Sequence, residues 1–282
     1  MSYLLCFLLM TGTSLTTQEV NPPNSSHVKT YAASSLLPIH EEIKISNEGT
    51  LVLLDIGGTL LHQRDPILHR DHEHWKKAWF ERCYPQLSPE EKKELARVVE
   101  GFLIKNDCGW QRLDKWPELV KQAQMQKIKV IAFSKVLTDP ALQHALAIRL
   151  ANFGIPIHDD LPELAGEKDQ FIYAGGVIQT SEKLKGPVLK EAISKMTHSP
   201  HKIIFVDDRK EQVESVHLAC QELGIPAVCF HYMGPSEPPA LDEAIANYQL
   251  NVLVKEHRWV PSEEASKILE SRTIKIGNGA ND

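Results

Sequence analysis

The stretch Thr50-Leu51-Val52-Leu53-Leu54-Asp55-Ile56-Gly57-Gly58-Thr59-Leu60 decides the fold. Its four consecutive apolar residues, Leu51 to Leu54, closed by an acid and then two glycines, describe a buried strand that stops at a polar edge. In an open α/β sheet, ligands collect beyond the carboxyl ends of the strands, which is where this pattern sets Asp55. The glycines allow the chain to turn sharply after the strand and to approach a ligand closely.

Working outward, two more segments have the same character. Lys127 to Ser134 alternates, then runs apolar, and ends on a hydroxyl. Lys202 to Asp208 is apolar through Val206 and ends on two acids, Asp207 and Asp208. Paired carboxylates at the end of a buried strand repel each other and lose hydration, and a bound cation relieves both costs. Pro140 to Asn152 reads as a helix, Phe171 to Ile178 as a hairpin around a glycine pair, and Gly186-Pro187 as the first turn of a helix preceded by Lys183 and Lys185. A helix to about Leu223, the separator Gly224-Ile225-Pro226 and a strand from Ala227 to His231 continue the alternation. Further helices are expected near 240–256 and 262–271.

The segment between the first two strands breaks that alternation. Leu61 to Asp71 is polar, as expected of a loop over a site, and three helical patterns follow without strands between them. The first covers 71–84, with Trp75, Trp79 and Cys83 on one face. The second covers 89–105, where Ser88, Pro89 and Glu91 form a capping-box signature. The third runs from Pro117 to about Lys127. Together they are expected to form a helical cap inserted at 63–126. The cluster His69, Asp71, His72 and His74 invites a metal reading, but only His69 and His72 share helix-compatible spacing, and a solvated helix start explains the same residues.

The strand, Asp55 and Gly57-Gly58-Thr59-Leu60 resemble the first motif of the haloacid dehalogenase superfamily, an apolar strand followed by Asp-x-Asp-Gly-Thr-Leu. The resemblance covers roughly residues 50–232 and extends to Ser134 as the second-motif hydroxyl, Lys185 as the third-motif lysine and Asp207-Asp208 as the fourth-motif acids. It implies an α/β fold, a Rossmann-like parallel sheet flanked by helices with an inserted cap. It also implies magnesium-dependent phosphatase or phosphotransferase chemistry on a small phosphorylated molecule. Asp55 would be the nucleophile; Asp55, the Gly57 carbonyl and Asp208 would hold Mg2+, with Asp207 in support. Gly57, Gly58, Thr59, Ser134 and Lys185 would bind substrate. Gly57 stands where most of these phosphatases carry a second aspartate, the general acid, and Gln212 stands where some carry another acid. Losing a general acid typically costs about 10²- to 10⁴-fold in rate. His62 and Arg64 are the nearest substitutes. The competing expectation is a catalytically impaired relative that binds metal, phosphate or a protein partner. The overall pattern is also similar to an uncharacterised exported bacterial family of the same superfamily.

The core is expected over 36–62 and 127–271, with a C-terminal tail at 272–282. At the N-terminus, Tyr3 to Met10 is an apolar run of signal-peptide length, too short to span a bilayer, although no basic residue precedes Lys29. Residues 1–17 are therefore read as a possible signal peptide and 18–35 as a flexible leader. An exported protein is the expectation, and a cytoplasmic one the alternative. A net charge of -6 over 282 residues argues against a nucleic-acid partner. The five cysteines lack C-x-x-C spacing; Cys83 with Cys108 and Cys220 with Cys229 could pair in an oxidising compartment, or Cys220 and Cys229 could be core thiols.

Overall fold

Alternation along the central strands sorts their side chains onto two faces, and each face collects its own helices. In the computed structural model, which describes residues 27–106, 108–157, 164–165, 171–181, 183–234 and 240–278, the strands are β1 (Val28–Ala33), β2 (Thr50–Leu54), β5 (Lys129–Ser134), β6 (Leu164–Ala165), β7 (Ile172–Ala174), β8 (Val177–Gln179), β9 (Lys202–Asp207) and β10 (Ala227–Tyr232). They form one sheet in the order β1-β10-β9-β2-β5-β8-β7-β6. Every neighbouring pair from β1 to β8 is parallel, and the β7 and β6 pairings are antiparallel. Val52, Leu54, Val130, Ala132, Ile204 and Val206 point to one face and Leu51, Leu53, Ile131, Phe133, Ile203 and Phe205 to the other. The expected α/β class, a mostly parallel sheet flanked by helices, is what the chain adopts.

The first face is covered by α1 (Leu37–Lys44), α4 (Trp116–Met125) and α5 (Pro140–Asn152), the second by α6 (Lys185–Lys195) and α7 (Lys210–Leu223). α1 is helical because Ile39 and Ile43, four residues apart, both bury fully. The residues expected as a flexible leader are structured from Val28. β1 pairs in parallel with β10 along its whole length, yet only Ala33 of its six residues is buried. Main-chain hydrogen bonds to an otherwise open sheet edge hold it, so no apolar alternation marks it. The signal-peptide reading and the leader up to residue 26 fall outside the described residues.

The inserted segment contains α2 (Glu73–Cys83) and α3 (Pro89–Lys105), and the Ser88/Glu91 capping box closes as expected. Two short strands, β3 (His62–Gln63) and β4 (Trp110–Gln111), pair antiparallel and draw the ends of the insertion together. The third helix expected in the cap lies elsewhere: Trp116, Leu119, Val120 and Ala123 of α4 are buried in the same cluster as β2 and β5. An amphipathic face specifies that a helix is covered but not by what. The inserted helices pack on the C-terminal helix α8 (Glu243–Glu256), where Ile67, Trp79 and Phe80 meet Ala246, Leu250 and Leu253, and α3 also packs on α5, where Ile104 joins the cluster of Leu142 and Leu146. α9 (Ser262–Asn278) packs on α8 and runs into the residues expected as a tail.

Asp65 ties the start of the cap to that helix pair. Its carboxylate is 2% exposed and accepts from Trp259 Nε1 at 2.9 Å and from the backbone N–H of Ser262, the first residue of α9, at 2.7 Å. Asp65→Ala leaves both donors without their acceptor and is expected to lower the unfolding free energy by about 2–3 kcal/mol. Urea denaturation measures it, and a loss below about 0.5 kcal/mol would remove Asp65 as the tie.

The four described cysteines form no disulfide: Cys83 is exposed and Cys108, Cys220 and Cys229 are buried. Neither of the pairings considered from the sequence is made. Burial pushes the Cys220 thiol up to about 12, and burial with the neighbouring Cys220 also raises Cys229, which are the properties of core thiols.

Candidate active site

Strand register alone brings the acids together. Leu54 pairs with Val206 on one side and Ala132 on the other, and the Asp55 N–H donates to Val206 O at 2.9 Å. Asp55 therefore leaves the sheet level with Asp207, and Ser134 closes the next strand two residues beyond Ala132. Beyond Asp55 the chain turns back on itself through Gly58 N–H to Leu61 O and Leu61 N–H to Ile56 O, both 2.8 Å.

The two glycines of this turn differ in kind. Gly58 has φ +88°, and a Cβ there would lie 2.3 Å from Asp208 Oδ2, so its backbone is packed directly on that carboxylate. A Cβ at Gly57 would meet only Trp110 Cη2, at 3.9 Å. The position where the resembled motif carries a second acid has room for a Cβ.

Lys185 reaches the acids from the start of α6. Its backbone N–H, one of the unsatisfied donors of a helix first turn, is taken by Gln212 Oε1 at 2.9 Å. Gly186 lets the helix come close to α7, since a Cβ there would sit 2.1 Å from Ser215 O. The ammonium, 1% exposed, donates to Asp55 Oδ1 at 2.5 Å and Asp207 Oδ2 at 2.6 Å, and lies 5.4 and 5.6 Å from the ring centroids of Phe133 and Phe205. Burial disfavours this cation, but the Asp207 and Asp55 carboxylates outweigh it and hold its pKa above the ordinary lysine value.

Burial raises all three carboxyls. It lifts Asp55 against the opposing Lys185 ammonium, Asp207 to about 6 against the same ammonium, and Asp208 to about 6 against the Arg70 guanidinium. Asp207 is fully engaged, because its other oxygen accepts from Arg209 N–H at 2.8 Å. Asp208 is not: Oδ2 meets Arg70 Nη1 at 2.5 Å, whereas Oδ1 is buried with no hydrogen-bond partner. One ligand atom from each of Asp55, Asp207 and Asp208 lies within 4.8 Å of the others. An all-oxygen donor set of this size, with a carboxylate oxygen left unpartnered, fits a hard divalent cation such as Mg2+.

Of the residues singled out in the sequence, Asp55, Lys185, Asp207 and Asp208 are in mutual reach, Gly58 lies against Asp208, and Gly57 faces Trp110. Ser134 is buried at the end of the strand beside β2, and Thr59 is fully buried with Oγ1 lacking a partner. Gln212 serves the backbone of Lys185. His62 is buried, pushed below the ordinary histidine pKa by burial and then by His69, with Nε2 lacking a partner. Arg64 is exposed. The side chain that does reach the acids from this loop is Arg70, in a short 3-10 turn over Arg70–His72, and the sequence carries no periodic signal for it. Among the described residues, the histidines around His69 do not gather into a metal-ligand group.

A mostly parallel α/β sheet with three acids and a lysine converging at the carboxyl edge of its strands defines the class of protein. The chain belongs to the family described as "Protein of unknown function (DUF2608)", whose model matches residues 32–266. It is similar to a protein named "Putative outer membrane protein" from Chlamydia pneumoniae, 25% identical over 236 residues, which covers 82% of this chain and 87% of that relative. A protein of the same name from Chlamydia trachomatis is 24% identical over 256 residues, covering 87% and 90%. Among solved structures, a "Putative Phosphatase from Clostridium difficile" overlaps 64% of this chain and 84% of its own at TM-score 0.38 and 15% identity, too loosely to bear on mechanism. Among the described residues no helix is long and apolar enough to cross a membrane.

Proposed function

We propose that the protein is a magnesium-dependent phosphatase or phosphotransferase that works through an aspartyl-phosphate on Asp55. The observation that carries this reading is Lys185, fully buried and bridging Asp55 and Asp207, beside an Asp208 oxygen left without a partner. Asp55, Gly57 and Asp208 would hold Mg2+, which when bound supplies charge neutralisation for the phosphoryl group. Asp207 would keep Lys185 in place.

In the first half-reaction an Asp55 oxygen attacks phosphorus, the bond to the leaving oxygen breaks, and the acyl phosphate forms. Lys185 offsets charge on the transferring group, and Ser134 and the backbone after Asp55 bind its oxygens. Water, or an acceptor hydroxyl, then attacks phosphorus and restores the Asp55 carboxylate. The substrate would be a small phosphorylated molecule entering under α2 and α3. The names of the chlamydial relatives support an exported location. The test is release of inorganic phosphate from a panel of phosphorylated compounds with Mg2+, followed by acid-quench labelling of Asp55. No turnover on any of them, with no label, overturns the reading in favour of a binding protein.

The vacancy at Gly57 makes a further prediction. With no proton donor at this position, alkyl phosphomonoesters turn over slowly, and Gly57→Asp, whose Cβ would be in ordinary contact with Trp110, is expected to raise their kcat about 10- to 10³-fold. An unchanged kcat in a variant that still binds Mg2+ would show that the missing acid is not what limits turnover.

A further inference from the structure

Arg70 is a cation delivered by the cap to the very carboxylate that the proposed chemistry needs. Its Nη1 sits 2.5 Å from Asp208 Oδ2, while the arginine remains 45% exposed and the aspartate is 9% exposed. The turn that carries it buries no residue of its own, and nearly half of the arginine side chain is open to solvent. Its other ionic neighbour is the exposed Asp71, whose Oδ1 lies 3.6 Å from Arg70 Nε.

The charge around it explains both positions. Three carboxylates are paired with two cations in direct contact, Lys185 and Arg70, and the Arg209 charge also acts on Asp208. While Arg70 occupies Oδ2, only Oδ1 of Asp208 remains without a partner. A divalent ion taking this carboxylate replaces one positive charge by two and releases the guanidinium at the mouth of the site. There its planar fork of donors matches the oxygens of a phosphoryl group.

We propose that Arg70 is an anion-binding residue of this site, held on Asp208 until a divalent cation takes that carboxylate. The inference rests on the metal-dependent reading above. Cation and phosphate binding are then coupled, because the ion both vacates the arginine and makes the site positive. Two calorimetric titrations test it on the full chain. Mg2+ titrated into the metal-free protein is expected to bind Arg70→Ala about 3- to 10-fold more tightly than wild type, since an internal competitor has been removed. Inorganic phosphate titrated into Mg2+-saturated protein is expected to bind Arg70→Ala at least about 10-fold more weakly, the usual loss for a charge-assisted hydrogen bond. If either affinity is unchanged in Arg70→Ala while wild type binds Mg2+, the inference is overturned and the phosphatase reading stands. If wild type binds neither Mg2+ nor phosphate, both are overturned.

Discussion

Asp55→Asn is expected to lose turnover by a factor on the order of 10⁴ or more, as removal of a nucleophile does, while the folded protein is at least as stable as wild type. The first half follows from the proposed chemistry, since a carboxamide at this position cannot form the acyl phosphate. The second follows from burial. The Asp55 carboxyl is raised above its ordinary value chiefly by desolvation, in spite of the Lys185 ammonium 2.5 Å away. A carboxyl whose folded pKa exceeds its unfolded one is destabilising when ionised. The penalty is absent below the unfolded value, appears as pH rises, and is complete above the folded value. Asparagine has nearly the same shape and removes that charge at every pH. Initial rates and urea midpoints at pH 7.5 report the two halves separately. Full activity in Asp55→Asn rejects the nucleophile; lost activity together with lost stability makes Asp55 a structural acid.

Such a conflict between stability and placement is what a functional acid in a buried site shows, and it was visible in the sequence as an acid at the end of an apolar run. β2, β5 and β9 are buried on both faces, so their residues are apolar nearly throughout and their ends are sharp. α5 begins and α7 ends where the pattern places them, at Pro140 and Leu223, because the Asp139 side chain caps the first helix and a left-handed Gly224 closes the second. Less legible were contacts that no periodicity encodes. β1 is fixed by backbone pairing at an edge, and its side chains are free to be polar. α4 is as amphipathic as a cap helix would be, and only the three-dimensional arrangement assigns it to the sheet and gives α8 to the cap. Arg70 meets Asp208 across 138 residues of chain from an irregular turn, and Gln212 turns its amide to Lys185 N rather than to the acids. By resemblance Gln212 stands where some relatives carry another acid, and what its amide oxygen does here is accept from the backbone of the lysine.

Lys185→Met should have the opposite effect on stability to Asp55→Asn and a larger one. Methionine keeps most of the lysine stem and its contact with Phe133 and Phe205, so little cavity is created and the change is mainly electrostatic. It leaves Asp207, 0% exposed, with Arg209 N–H as its remaining hydrogen bond, and Asp55 without its ammonium. Removing one partner of a buried ion pair costs about 3–5 kcal/mol, a large share of the roughly 5–15 kcal/mol that holds a domain folded. The loss also carries a pH signature. Burial already holds Asp207 at about 6 against an ordinary 3.8, and without the ammonium it climbs further. The penalty of its charge is complete only above the folded value and falls away as the carboxyl takes up a proton. The gap between Lys185→Met and wild type in urea denaturation is therefore expected to be widest at pH 8 and to narrow toward pH 5. Adding Asp207→Asn should return part of the loss, because the stranded charge goes with it. A gap below about 1 kcal/mol at pH 8, or a double variant no more stable than Lys185→Met, would mean that the ammonium is not what keeps these carboxylates in the interior.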